Sequence, residues 1–185
     1  MQGSLIDVYI AGPDVFFTNS EAHFAYITKQ LAAHGLRARI PVDGGLSKGA
    51  PMNQETALAI CQGNYHLIRQ CKAVLANLNP FRGMDPDSGT CAEVGYSRAM
   101  GKVIVAYTDS PEPYAERVRR SYGSHIDAAS GLEIDDRDSC LIENFGLPCN
   151  LMLTFGTNFV TSGLDAAIEK LAEVVKHELL ATANA

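Results

Sequence analysis

Long apolar runs, paired cysteines and an excess of basic charge are all missing from this chain. No stretch approaches the roughly 20 apolar residues that span a bilayer. The opening MQGSLIDVYIAG has no basic segment followed by an apolar run and a cleavage site, so no signal peptide is expected. The five cysteines, Cys61, Cys71, Cys91, Cys140 and Cys149, are odd in number and form no CxxC pair. That excludes a disulfide framework or a zinc site as the first expectation, and it points to idle or buried thiols in a reducing cytosol. A cytoplasmic protein is therefore expected. With 15 Lys and Arg against 21 Asp and Glu, the net charge is -6, which gives no electrostatic reason to bind nucleic acid or an acidic membrane. The densest basic group, Arg117, Arg119 and Arg120, sits in a polar stretch and reads as a solvated face.

Familiar ligand motifs are missing as well. There is no GxGxxG and no GxxxxGK[ST]; the stretch GGLSKG holds a lysine among glycines without the phosphate-loop spacing. No GxSxG nucleophile elbow occurs. The histidines, His23, His34, His66, His125 and His177, form no HExxH or close ligand pair. Neither a metal nor a cofactor is expected.

What is present is an ordinary globular composition, 46% hydrophobic and 19% charged, at a length suited to one domain over residues 1–185. Leu5 to Ala11 reads as a buried strand ending at Gly12-Pro13. Ser20 to His34 reads as a helix with Ala22, Ala25, Tyr26, Leu31 and Ala32 as apolar positions, capped by Asn19 or Ser20 and stopped by Gly35. Arg37 to Pro41 is a second strand, and Val42 to Met52 a glycine-rich loop. Asn53 to Gln70 is a helix with Leu58, Ile60, Cys61, Leu67 and Ile68 as candidate buried positions. Ala73 to Leu78 and Lys102 to Tyr107 are further strands, separated by a loop and a helix over Thr90 to Met100. Thr108 to Ser139 reads as long, polar and irregular apart from one helical turn near Pro113 to Arg120, its acidic run (Glu133, Asp135, Asp136, Asp138) solvated. Gly163 to Leu180 is a terminal helix with Leu164, Ala167, Ile168, Leu171 and Val175 on one face.

Alternating strands and helices, with strands that are continuously apolar, predict an α/β fold: a mostly parallel sheet of about five strands flanked by helices, Rossmann- or flavodoxin-like. Ligands in such folds bind beyond the carboxyl ends of the strands. The stretch PDSGTCAEVGY lies at that edge and carries two acids, Asp87 and Glu93. Two readings compete there. Thr90 with Glu93 three residues later fits a capping box, which is the commoner use of such a pair. Alternatively, a carboxylate near a helix N-terminus is favoured in its ionised form, which suits a nucleophile. Asp87, in the loop just before, is free to take a different environment, and two such carboxylates divide acid and base roles in glycosidic cleavage.

DSGTCAEVGY resembles the signature of the nucleoside 2-deoxyribosyltransferase family, roughly DxGTxxEΦGY with Φ aliphatic. VYIAGPDVF resembles the family's first loop, GNYHLIRQCKAVLANLNPFRG its second helix, third strand and following loop, and GLPCNLML its late segment. The likeness runs from about Tyr9 to Met152 in the expected order. It implies that Glu93 is a nucleophile forming a deoxyribosyl ester, that Asp87 helps protonate the leaving base, and that Tyr9 hydrogen-bonds the nucleophile. It implies that Phe16 packs on the base, that Gly12 and Gly89 let the backbone approach substrate, and that Asp43 lies in a base-contacting loop. Asn150, beside Met152, would reach the sugar 5'-hydroxyl in a neighbouring subunit. The implied partners are 2'-deoxynucleosides and free nucleobases, and the implied state is a homo-oligomer with shared sites. Many members carry an aspartate where this chain has Asn64, which can still hydrogen-bond a hydroxyl but brings no charge. A subgroup with similar NLxPFRG loops often prefers purines. Ordinary structural roles exist for Tyr9 and Phe16 as core aromatics and for Asn150 as a helix cap. Two other functions stay open: a hydrolase acting on deoxynucleosides or their 5'-monophosphates, and a non-catalytic nucleotide-binding module.

Overall fold

In a computed structural model of the chain, residues 5–41 and 51–183 are described. Asp43 and most of the glycine-rich loop around it fall outside them. The strands are β1 (Ile6–Ala11), β2 (Leu36–Arg39), β3 (Ala73–Asn77), β4 (Val103–Tyr107), β5 (Ser124–Ile126), β6 (Glu133–Asp135) and β7 (Asn158–Val160). The helices are α1 (Ser20–Ala33), α2 (Gln54–Gln70), α3 (Ser88–Ala99), α4 (Tyr114–Tyr122), α5 (Leu151–Thr154) and α6 (Gly163–Ala183), with a 3-10 turn at Pro13–Phe16. Five strands form one sheet in the order β2-β1-β3-β4-β7, every pair parallel. That is the doubly wound α/β arrangement expected from the sequence.

The pleat explains the two cores. Alternate residues of β1 face opposite sides. Val8 and Ile10 pack with Ile27 and Leu31 of α1 and with Ala167, Ile168 and Leu171 of α6. Tyr9 and Ala11 pack on the other side with Ile68 of α2 and Val94 of α3. Each aliphatic side chain buried this way contributes about 1.5–3 kcal/mol relative to exposure. Chain order reverses between β1 and β3, and the crevice at their carboxyl ends is where ligands of such sheets bind.

Several expectations need correction. On α1 the buried residues are Ile27 and Leu31, while Ala22, Ala25, Tyr26 and Ala32 are exposed. On α2 only Ile68 is buried, and Leu58 is 57% exposed. The segment 108–139 is not irregular: it holds α4 and the antiparallel β5–β6 hairpin. Nor is its acidic run wholly solvated, since Asp135 is buried and Glu133 takes two hydrogen bonds from Arg119, both 2.6 Å. Arg117 is likewise buried rather than part of a solvated face. The edge strand β7 and the one-turn helix α5 were not foreseen, because three- and four-residue elements carry too little periodicity to read. The α6 face over Ala167, Ile168, Leu171 and Val175 is buried as expected. Among the described residues no helix is long and apolar enough to cross a membrane.

Candidate active site

The helix that follows Asp87 and carries Glu93 begins two residues earlier than expected, and this removes the capping-box reading of Glu93. Asp87, not Thr90, is the N-cap of α3: its Oδ2 accepts from the Thr90 backbone N–H at 2.9 Å and from the Thr90 hydroxyl at 3.0 Å. Its Oδ1 accepts no hydrogen bond from the described residues. Glu93 is therefore past the first turn and caps nothing. Because the side chains of a helix follow its 3.6-residue turn, this position aims Glu93 across to β1 and α2. The Tyr9 hydroxyl donates to Glu93 Oε1 at 2.5 Å, and Asn64 Nδ2 approaches the same oxygen at 3.5 Å. Oε2 accepts no hydrogen bond from the described residues.

The electrostatics also differ from the helix-terminus argument. Burial pushes the Glu93 carboxyl up to about 7; the hydrogen bond from Tyr9 opposes this, and the negative charge of Asp87 adds to it. Burial, reinforced by the neighbouring Glu93 charge, holds the Tyr9 phenol above its ordinary range, so it remains a donor. Tyr9→Phe removes the stabilising donor. The Glu93 carboxyl is then expected to titrate about one to two pH units higher, since a hydrogen bond to a charged group is worth roughly 1.5–3 kcal/mol. Carbon-13 NMR of labelled glutamate reads this directly, and an unmoved titration would remove Tyr9 from the role.

Glu93 and Asp87 line a cavity of about 680 Å³ together with Gly12, Val15, Phe16, Pro41, Met52, Asn53, Thr56, Ala57, Ile60, Asn64, Gly89 and Thr90. Of the candidate residues, Gly12, Phe16, Asn64, Asp87, Gly89 and Glu93 thus meet in one place, with Tyr9 behind Glu93. Gly12 is required by close packing: a Cβ there would sit 2.1 Å from Asp14 Oδ2 and 2.9 Å from Asn77 Cβ. Phe16, 59% exposed, stacks on Phe81 at 5.5 Å, and the Arg82 guanidinium lies over both rings. Asn150 is an N-cap, as its plainer reading held, accepting from the Met152 N–H at 2.9 Å. It lines a separate depression of about 140 Å³ with Asp85, Tyr114 and Cys149. Met152 is 71% exposed. Within one chain, neither Asn150 nor Met152 lines the Glu93 cavity.

Of the α2 wall, sequence reasoning names Asn64 but misses Asn53, Thr56 and Ala57. Asn53, Thr56, Ala57, Ile60 and Asn64 recur at spacings of three and four, so one face of α2 lines the cavity. That spacing is a usable signal, although of these residues the sequence reading assigns Ile60 to the core. Asp14, in the turn after Gly12, does not line the cavity. It is 1% exposed, takes a hydrogen bond from Asn77 Nδ2 at 2.9 Å and lies 2.8 Å from His23 Nε2. Among the described residues no group of three or more His, Cys, Asp or Glu could hold a metal.

Comparison with known proteins agrees with this geometry. Residues 8–152 match the family model described as nucleoside 2-deoxyribosyltransferase. A solved 2-desoxiribosyltransferase from Leishmania mexicana is 34% identical, with a TM-score of 0.70, over 91% of this chain and 97% of that one. A Schizosaccharomyces pombe protein described as uncharacterized protein C191.05c is 31% identical over 157 residues, 78% of this chain and 74% of its own. A conserved protein from Enterococcus faecalis V583, 20% identical, shares the fold at a TM-score of 0.56 over 94% of this chain and 99% of that one. The acid pair, the tyrosine behind it and the match over residues 8–152, most of the chain, converge: the chain belongs to the nucleoside 2-deoxyribosyltransferase family.

Proposed function

We propose that the protein transfers a 2-deoxyribosyl group between nucleobases through a covalent ester on Glu93. The observation that carries this reading is a carboxylate with one oxygen held by Tyr9 and the other accepting no hydrogen bond from the described residues, lining a largely apolar cavity. Glu93 Oε2 attacks C1' of the sugar. The C1'–N bond breaks, its electron pair goes to the base nitrogen, and Asp87 supplies a proton to that leaving nitrogen. A nitrogen of the incoming base then attacks C1', the C1'–Oε2 bond breaks, the Glu93 carboxylate returns, and the new base passes its proton back to Asp87. Two displacements at one carbon retain configuration.

The cavity suits such substrates. Val15, Phe16, Ala57 and Ile60 offer apolar surface for a flat base, and exposed Phe16 provides a ring to stack on. Asn64 is placed to hydrogen-bond a sugar hydroxyl. The only acids or bases lining it among the described residues are Asp87 and Glu93, so a 5'-phosphate would meet like charge rather than a cation. That favours an unphosphorylated nucleoside over a monophosphate. Asn150, standing apart from the cavity of its own chain beside exposed Met152 and Phe155, fits a contribution to a neighbouring subunit's site. The protein acts in this reading as a homo-oligomer in nucleoside salvage.

Incubation with 2'-deoxyinosine and adenine, followed by chromatography, is expected to yield 2'-deoxyadenosine and hypoxanthine. Hypoxanthine without a new nucleoside would identify a hydrolase. Inertness toward purine and pyrimidine donors, phosphorylated or not, would leave a binding module.

A further inference from the structure

We propose that Arg117 is a positioning residue: its guanidinium sets the loop that ends in Asp87 against the segment that carries Asn150. On this view α4 builds part of the site without touching substrate. The inference rests on the reading of Asp87 and Asn150 as site residues.

Arg117 is 5% exposed. Its Nη1 donates to the Glu112 carbonyl at 2.7 Å, and its Nη2 to the carbonyls of Pro148 at 2.6 Å and Met84 at 3.2 Å. Nε is buried with no hydrogen-bond partner. No carboxylate of the described residues pairs with this cation; that of Glu112 turns to Arg120 at 2.8 Å. Burying an unpaired cation is costly unless its donors are satisfied. Here three carbonyls from three separate segments accept from its two terminal nitrogens, and Nε alone is left without a partner. Met84 precedes Asp87 by three residues and Pro148 precedes Asn150 by two. One rigid planar head thus ties together the two segments that present Asp87 and Asn150.

The surroundings hold that head in place. Ala115 and Val118 of α4 pack on Ile142, and Met84, Tyr114 and Tyr122 close around them. The Arg117 guanidinium also lies 5.9 Å from the centre of the Tyr114 ring. Lysine could not replace it, because a single ammonium lacks the fixed fork that spans carbonyls in different directions. The segment after β4, read from the sequence only as long and polar, thereby acquires a purpose.

The test compares Arg117→Met and Arg117→Lys with Val118→Ala, a control that loosens the same cluster while keeping the guanidinium. Amide hydrogen exchange is read over residues 84–90 and 148–152, each variant held equally far below its melting midpoint. In Arg117→Met both segments are expected to exchange about tenfold faster or more, together, while Val118→Ala leaves them in step with the rest of the chain. At a temperature where the variants are folded, kcat for base exchange falls about tenfold or more in Arg117→Met, less in Arg117→Lys, and stays within about twofold in Val118→Ala. If Arg117→Met does not fold, Arg117→Lys carries the same comparison. The proposal is overturned if the two segments loosen separately, or if Arg117 variants match Val118→Ala in both readouts. Should the wild-type protein show no base exchange at all, the functional reading fails while the exchange measurements still decide the positioning.

Discussion

Glu93→Gln leaves a folded protein that no longer exchanges bases. The amide keeps the shape of the side chain and can still accept from Tyr9, but it cannot attack C1'. Loss of a covalent nucleophile is expected to lower kcat by about four orders of magnitude or more. A capping role would predict something else: a loss of about 0.5–2 kcal/mol in stability and full activity. The structure has moved the cap to Asp87, so stability should respond in the opposite sense. The folded-state carboxyl is raised to about 7 from 4.5. A raised acid favours its protonated form in the folded protein. Its contribution is therefore fully present below the unfolded value and is lost as pH rises through about 7. Glu93→Gln removes that loss, so at pH 8 the variant is expected to be more stable than the wild type by roughly 2–3 kcal/mol, and near pH 4 about equal. Denaturant unfolding at the two pH values measures this. Full activity in Glu93→Gln would end the nucleophile assignment; equal stability at pH 8 would end the claim of a desolvated carboxyl. The same titration sets the pH profile, in which kcat/KM rises as Glu93 ionises, with its acid limb near pH 7.

Asp87→Asn separates the two duties of that residue. Asparagine caps a helix about as well as aspartate, so α3 should begin at the same place and the melting temperature should change little. What it lacks is a proton to give. With 2'-deoxyinosine as donor, base release is expected to fall about 10²- to 10⁴-fold, the range for a lost general acid. A 2'-deoxyribosyl donor whose base is already cationic, such as an N7-methylated purine, needs no proton to leave. Against that donor the variant should stay within about tenfold of wild type. The contrast between donors is the decisive result, because a misfolded or misaligned site would lose both alike. Equal loss on both donors would remove the general-acid role from Asp87, and full activity on both would make it a cap and nothing more.

The amino-acid sequence determined the fold class and the sheet edge on which the candidate site lies. Continuous apolar strands such as Ala73–Leu78 can only be buried on both faces, and helices between them force parallel pairing. The α6 face was legible for the same reason: four turns of apolar spacing leave one orientation. DSGTCAEVGY named Asp87 and Glu93. Tertiary structure decided what surrounds each. Thr90 and Glu93 satisfy the local pattern of a capping box, yet the helix starts at Ser88 because Asp87 offers a better-placed acceptor to the Thr90 N–H. The charge state of Glu93 was equally hidden, since it depends on burial against Tyr9, which lies 84 positions away in the chain. Ile60 has the spacing of a core residue but lines the cavity, because periodicity marks a face of a helix and not what that face meets. Arg117 reads as solvated within a basic cluster; only the folding of residues 84, 112 and 148 around one point turns it inward. Contacts between neighbours in sequence are written locally and can be read there. Burial, and the chemistry that burial creates, comes from segments that meet only when the sheet closes.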